Sequence, residues 1–254
     1  MESLPRTEAP PSAVDAATPS DRPEPHGPPH LADPRALQIL STEHWGQLTA
    51  RSLVYNETFA RGSMFLTFLS ASLVALGFVY QGSGPDFVYI LIAILALDLF
   101  VGLTTLGRLA SAGYEEMRAL QAMNRIRHAY LEMVPGLAPY FSTSPHDDMR
   151  GVVATYWAVP SSPAFLPNVT HGLGTLGAAV AFIIALLTGA IAGLIALQLG
   201  ATGPATAAAG VLVFVLCMLA EFALGYRRIQ ALDARFEVRF PSPPSGPADT
   251  GGSG

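Results

Sequence analysis

Long uncharged runs alternate with clusters of arginine along this chain, and the lengths of the runs predict membrane-spanning helices. The 24 residues between Arg61 and Asp86 include no Asp, Glu, Lys or Arg, and neither do the 70 residues from Gly151 to Ala220. An apolar helix of about 20 residues crosses a hydrocarbon core of roughly 30 Å. Because GATGPAT at 200–206 favours a turn within the longer run, that run predicts two spans.

The predicted fold is all-α, with four transmembrane helices arranged as two hairpins. A span at about 87–107 follows the first one and is interrupted only by Asp98. Tight turns are predicted at QGSGPD and GATGPAT, so the first two spans form one hairpin, and spans near 172–199 and 205–226 form the other. The spacing of apolar residues also predicts amphipathic helical extensions beyond the spans.

Two apolar stripes define these extensions. Trp45, Leu48, Tyr55 and Phe59 recur at near-helical spacing before the first span, and a second stripe runs from Met117 to Tyr130 after the second span. Packing of these stripes in a small cytoplasmic bundle is the simplest interpretation. The alternatives are a subunit interface, or contact with anionic lipid or a protein partner through arginines. Those arginines are Arg118, Arg125 and Arg127.

The arginines predict the orientation. None of the 14 lies in a span or in a hairpin turn, and short cytoplasmic loops are enriched in Lys and Arg, so both termini and the central segment are predicted to be cytoplasmic. The absence of lysine beside abundant Ala, Gly and Pro is typical of a GC-rich bacterial genome, which predicts the bacterial inner membrane as the location. The predicted parts are a disordered Pro-rich tail (1–34), a cytoplasmic amphipathic helix (35–62), the first transmembrane hairpin (63–107), a cytoplasmic helix and loop (108–170), the second hairpin (171–226), an amphipathic helix (227–240) and a disordered tail (241–254).

Composition argues against several functional classes. Half of the 254 residues are apolar and only 13% are charged, which is typical of an integral membrane protein. The net charge of −5 provides no electrostatic footprint for nucleic acid, and the single cysteine, Cys217, excludes an internal disulfide framework.

His146-Asp147-Asp148 suits the start of a helix better than a metal site. Since no set of nucleophile, base and oxyanion donors is recognisable, the sequence predicts no metal, no cofactor and no enzymatic activity.

Asp98 is a carboxylate at the centre of the second span. It lies ten residues before the arginine that ends the span, or about 15 Å along a helix, which places it near the bilayer midplane. Gly102 and Thr105 continue its face, and Thr67 and Ser70 in the first span offer a matching polar stripe. The carboxylate either lines an ion or proton pathway, or is a protonated group that hydrogen-bonds to Ser70 or Thr67.

Two other features bear on packing inside the bilayer. Glu221, in the fourth span, lies close enough to the arginines that follow it to pair with Arg228, which favours a structural role. The third span is rich in Gly and Ala, and Gly189 and Gly193 are spaced so that a neighbouring helix can approach closely. We therefore expect the third span at the packing centre.

Two stretches resemble known proteins. EHWGQLTARSLVYNETFARGSMFLTFLSASLVALGFV, together with RIRHAYLEMVPGLAPYFSTSPHDD, resembles a family of uncharacterised actinobacterial integral membrane proteins over about residues 38–160. This resemblance implies a topology and a source rather than a chemistry. In architecture alone, a helix, a two-span hairpin and a long returning helix are similar to SLATT effector domains, which are proposed to form membrane pores. The second hairpin departs from that pattern, so no subunit number carries over.

Two functional hypotheses remain open. The first is an ion-conducting or pore-forming homo-oligomer in which Asp98 faces the pathway. The second is a non-conducting membrane scaffold or signalling protein that recruits partners through its cytoplasmic helices. Membrane lipid is an expected partner in both.

Overall fold

The computed structural model describes residues 31–82, 84, 86–157 and 175–244 of the chain. These residues contain no strand, so the all-α prediction is confirmed for them. Most of both predicted disordered tails, and most of the loop before the third span, lie outside the described residues. The described helices are α1 (Ala36–Gly82), α2 (Phe87–Met133), α3 (Met149–Trp157), α4 (Leu176–Gln198) and α5 (Gly203–Asp233), with a short 3-10 helix at Pro135–Tyr140.

Four of these helices, α1, α2, α4 and α5, are long and apolar enough to cross a membrane, which confirms the predicted number of candidate spans within the described residues. The first two helices contain 47 residues each. A 47-residue helix is about 70 Å long, more than twice the thickness of the hydrocarbon core. Only part of each helix is therefore needed for a span, and we call the charged remainders, 36–61 of α1 and 108–133 of α2, their polar halves.

The helix boundaries follow local chemistry. Val134 has non-helical backbone angles (φ −141°, ψ 84°) and ends α2 before Pro135, because the residue before a proline is disfavoured in the α conformation. Gly200 has φ +84° and lies just after α4, where the left-handed conformation ends a helix at no steric cost to glycine. Pro204 lies in the first turn of α5, where its missing N–H is not needed. The turn predicted at GATGPAT therefore lies between α4 and α5.

The helices α1 and α2 contact each other in antiparallel fashion. Arg51 in α1 pairs with Glu116 in α2, and Ser72, later in α1, hydrogen-bonds to Asp98, which comes earlier in α2. A buried cluster joins α1 and α2 to α4. Its members are Phe65, Leu95, Leu109, Val180, Ile184 and Leu187.

The helix α4 also packs closely against α5. A Cβ atom at Gly189 would lie 2.7 Å from the carbonyl oxygen of Gly210 in α5, which is too short for a real contact. One turn further along α4, a Cβ at Gly193 would lie 3.4 Å from the carbonyl oxygen of Thr206. The two glycines that the sequence assigns to helix packing therefore lie where the backbones of α4 and α5 approach each other. Because α4 also contacts α2, it lies between the two.

The chain after α5 differs from the prediction. The amphipathic helix predicted over 227–240 ends at Asp233, and the chain then continues without helix to 244. The sequence contains the reason: FEVRF at 236–240 alternates apolar and charged residues with period two, which is typical of an extended chain. Residues 241–244, which were assigned to a disordered tail, belong to this ordered stretch. We call 234–244 the return segment.

Of the two predicted apolar stripes, the one in α2 is largely buried and the one in α1 is largely exposed. In α2, Leu120, Met123 and Ile126 are buried, as the bundle interpretation requires. In α1, however, Trp45 and Tyr55 remain 65% and 68% exposed. These residues of α1 therefore do not pack into a bundle with the other described residues.

Candidate functional site

Asp98 is fully enclosed between α1, α2 and α4. Its side chain is 0% exposed, and its Oδ1 accepts a 2.9 Å hydrogen bond from the hydroxyl of Ser72 in α1. Its Oδ2 has no hydrogen-bond partner among the described residues. One turn along α2, a Cβ at Gly102 would lie 3.1 Å from side-chain atoms of both Phe65 and Ile184, so these two side chains fill the space beside it. Asp98 is thus buried between helices and does not face the outside of the chain.

The predicted hydrogen-bond donors to Asp98 are wrong. Ser70 and Thr67 are exposed, and the hydroxyl of Ser70 donates instead to the carbonyl of Leu66 at 2.8 Å. The donor is Ser72, two residues further along α1. A step of two residues turns the side-chain direction by about 200° around the helix axis. Because Ser72 faces α2, the face that carries Ser70 points away from α2. Of the other residues on the predicted polar face, Thr105 is buried, and its hydroxyl donates to the carbonyl of Val101 at 2.8 Å.

Glu221 forms a second polar contact, in the candidate span of α5. Its Oε1 accepts a long 3.8 Å hydrogen bond from the thiol of Cys217 in the same helix, and its Oε2 has no partner among the described residues. Arg228 is exposed, and no ion pair joins it to Glu221, so the predicted pairing does not form. Two carboxylates, Asp98 and Glu221, therefore lie in candidate spans, and each accepts a hydrogen bond from a single side chain.

In the polar half of α2, two of the three arginines that the sequence assigns to lipid or partner contact form contacts within the protein. Arg125 forms a 2.7 Å ion pair with Asp147. Arg127 is buried and donates 2.8 Å hydrogen bonds to Asn124 and to the carbonyl of Ser144. Because Arg127 is buried, the structure contradicts its assignment to lipid or partner contact. The side chain of Arg125 is 30% exposed, so its assignment stays a prediction. Arg118 is exposed and remains available on the surface.

Asp147 joins the loop before α3, the return segment and the polar half of α2. Its carboxylate is 0% exposed, and it accepts hydrogen bonds from the backbone N–H of Phe240 at 2.7 Å and of Arg239 at 3.0 and 3.1 Å. Its own backbone N–H donates to the carbonyl of Phe240 at 3.1 Å. One buried side chain thus fastens the return segment to the loop before α3, and through Arg125 to α2. Arg125 also donates to the carbonyl of Glu237 in the return segment.

The electrostatics of this site favour the ionised carboxylate. Burial raises the pKa of Asp147, but the guanidinium of Arg125 and the backbone N–H groups of Phe240 and Arg239 lower it by more, so that it lies below the ordinary value of 3.8. A charged carboxylate in this position is stabilised by all of its donors at neutral pH.

Residues next to Asp147 and Phe240 add further contacts between the loop before α3, the return segment and α2. Asp148 accepts a 2.9 Å hydrogen bond from the backbone N–H of Gly151 and so caps the N-terminus of α3, as the helix-start interpretation of this motif expects. It also accepts hydrogen bonds from Ser242, at 3.1 Å from the backbone N–H and 2.7 Å from the hydroxyl. The ring of Phe240 stacks on His128 of α2 with 3.9 Å between centroids. On the other side of the loop, Asn124 donates to the carbonyl of His146 at 2.7 Å.

We call the polar halves of α1 and α2, together with α3 and the return segment, the polar head. The sequence indicated the helices of this head but not the docking of the return segment. The period-two pattern of FEVRF was the available signal for an extended chain. No sequence signal pairs Asp147 with Arg239 and Phe240, which lie more than 90 residues away. Among the described residues there is no cluster of metal-binding side chains.

The chain was also compared with known proteins. No family model, curated protein or solved structure matches it.

Proposed function

We propose that this protein is a multi-pass protein of the bacterial inner membrane and that its role is non-enzymatic: it holds the polar head in the cytoplasm as a scaffold for protein partners. The four apolar helices support the membrane location. In this proposal they cross the bilayer as two antiparallel hairpins, and the arginine-bearing ends face the cytoplasm.

The observation that carries the scaffold role is the buried network around Asp147. Three separate parts of the chain, namely α2, the loop before α3 and the return segment, meet on one carboxylate that is 0% exposed. Buried hydrogen-bonded charges are costly to form, and breaking one leaves an uncompensated charge. A chain that needed only a membrane anchor would not require such a network. A shaped extramembrane surface, by contrast, depends on it.

Ion conduction is the second candidate, and the position of Asp98 favours it. An ionisable group at mid-membrane is costly and often marks an ion or proton path, and one oxygen of Asp98 has no partner among the described residues. Against conduction, Asp98 is fully buried by its own chain, with Phe65 and Ile184 packed beside the adjacent Gly102. We therefore rank the scaffold role first.

A pair of matched acid-to-amide variants separates the two candidates. Purified wild-type protein in liposomes should pass protons and potassium ions no faster than empty liposomes do. In cells, Asp147→Asn should remove the proteins that are cross-linked to the wild-type chain, and Asp98→Asn should retain them. Ion flux through the wild-type protein that Asp98→Asn abolishes would contradict the scaffold role and support conduction.

A further inference from the structure

One face of the polar half of α1 is exposed although it is largely apolar. Trp45, Leu48, Tyr55 and Phe59 lie on this face, together with the small residue Ser52. Their exposed fractions are 65% for Trp45, 37% for Leu48, 68% for Tyr55 and 60% for Phe59. Exposed apolar surface of this extent beyond the membrane marks an interaction site.

The membrane surface explains only part of this face. Tyr55 and Phe59 lie within two turns of Arg61, where aromatic side chains commonly sit among lipid headgroups. Trp45 lies 16 residues before Arg61, or about 24 Å along the helix, and Leu48 lies about 20 Å from it. These distances exceed the depth of a headgroup layer, so lipid does not cover Trp45 and Leu48.

The same face continues along α1 into the membrane. Ser63, Ser70 and Gly77 follow at intervals of seven residues, with Leu66 and Leu73 between them, and all five are exposed. Small residues in such a row let two membrane helices approach closely. We call the continuous face from Trp45 to Gly77 the α1 stripe. A partner that covers the whole stripe must itself be a helix that passes from water into the membrane, which excludes a soluble protein.

Charge favours an identical copy as that partner. The charged residues of this part of α1 lie on other faces of the helix. Among them, Arg51 pairs with Glu116 and Glu57 pairs with Arg108. When two copies are related by a two-fold axis along the membrane normal, each residue of α1 lies near its own counterpart. A charge on the stripe would then face a like charge, and the stripe has none.

The available area is sufficient for a dimer. An aromatic side chain has about 200 Å² of accessible surface to bury. The three aromatic residues of the stripe are each about two-thirds exposed, so each offers roughly 130 Å² of surface to an interface. With the three leucines of the stripe, the total is about 600 Å² per copy, or about 1,200 Å² for the pair, which reaches the lower limit of specific interfaces.

We propose that the α1 stripe is the interface between two copies of this chain, packed in parallel through their α1 helices. The proposal rests on the membrane-spanning part of the proposed function. It holds for a scaffold and for a conducting assembly alike, so its failure would not decide between them.

Disulfide formation in native membranes tests the interface. In a Cys217→Ser background, Ser52→Cys places a thiol on the stripe, and Ala50→Cys places one on an exposed position about 200° around the helix. After mild oxidation, Ser52→Cys should form a disulfide-linked dimer at least tenfold more efficiently than Ala50→Cys. Adding Trp45→Glu to Ser52→Cys should reduce the linked dimer at least tenfold, because like charges would meet across the interface.

Three outcomes would overturn the proposal. The first is equal linking at both positions, which would indicate random collision. The second is the absence of linked dimer at Ser52→Cys in protein that is folded by circular dichroism. The third is a Ser52→Cys product whose mass corresponds to a different protein. The liposome flux assay and the Asp147→Asn comparison remain separate tests of function.

Discussion

Replacing Asp147 by asparagine should release the return segment while the membrane-spanning helices remain folded. Both oxygens of Asp147 accept hydrogen bonds: Oδ1 accepts from Phe240 and Arg239, and Oδ2 accepts from Arg125 and Arg239. An amide keeps only one acceptor, so its NH₂ group must face another donor whichever way it is turned. The variant therefore leaves the Arg125 charge uncompensated and one or more backbone donors without an acceptor.

The magnitude follows from the burial of the carboxylate. Breaking one side of a buried, hydrogen-bonded ion pair costs about 3–5 kcal/mol. Because Arg125 is 30% exposed and can turn towards water, we expect the lower end of this range. A loss of about 3 kcal/mol corresponds to opening that is more frequent by roughly two orders of magnitude.

Hydrogen exchange measured by mass spectrometry in lipid nanodiscs reports this opening. Peptides that contain Arg239 and Phe240 should exchange roughly 100-fold faster in Asp147→Asn than in the wild type, with peptides from α4 unchanged. Glu237→Gln is the matched control. Its carboxylate is in the return segment and pairs only with Arg239 at an exposed position, so exchange should stay within about fivefold of the wild type. Equal effects of the two variants would refute the reasoning.

Acidification should have the same effect on the wild type. The pKa of Asp147 is lower in the folded protein than its ordinary value of 3.8, so the folded state binds this proton less readily than the undocked state does. The stabilisation is complete above about pH 4 and is lost as the pH falls through the lower, folded pKa. Exchange at Phe240, corrected for the intrinsic effect of pH, should therefore accelerate only below about pH 4. A transition near pH 6 would contradict the assignment to Asp147.

Two further predictions concern the rest of the chain. Gly189→Ala should destabilise the protein in detergent by about 1–3 kcal/mol, because the new Cβ would lie 2.7 Å from the carbonyl oxygen of Gly210. Gly177→Ala is the control: the nearest atom to its Cβ would be 3.9 Å away, so its melting temperature should not change. Equal melting temperatures of the two variants would contradict the α4–α5 packing. The Arg108 guanidinium and, to a smaller extent, that of Arg61 lower the pKa of Glu57 to about 2. Measured by NMR titration, Arg108→Ala should therefore raise the pKa of Glu57 more than Arg61→Ala does. The reverse order would contradict the pairing of Glu57 with Arg108.

The four candidate spans were predictable because they depend on properties that add up along the sequence. An uncharged run long enough to cross the bilayer predicts a helix whatever its neighbours are, and Pro135 predicts the end of α2 by local sterics. The contact of Asp98 was not predictable in the same way. The first span is apolar on all sides, so its hydrophobic pattern does not fix which face of α1 meets α2. The sequence alone therefore does not distinguish Ser70 from Ser72 as the hydrogen-bond donor to Asp98.

The polar head was harder to predict because its central contacts join distant parts of the chain. The sequence predicts a helix start at Asp147 and Asp148, and Asp148 does cap α3. The role of Asp147 depends on Phe240, which was placed in a helix because arginines and apolar residues there fitted an amphipathic pattern. The alternation in FEVRF argued for an extended chain, but only the packed structure shows what the extended chain contacts.

Accessibility of single cysteines tests the central claim, that four helices cross the membrane with all arginine-bearing ends on the same side. In the Cys217→Ser background, cysteines at Gly84 and Leu199, in the turns between paired helices, should react with a membrane-impermeant maleimide on intact cells. A cysteine at Ser142, before α3, should react only after the membrane is permeabilised. Labelling of Ser142 from outside, or protection of either turn, would contradict the account.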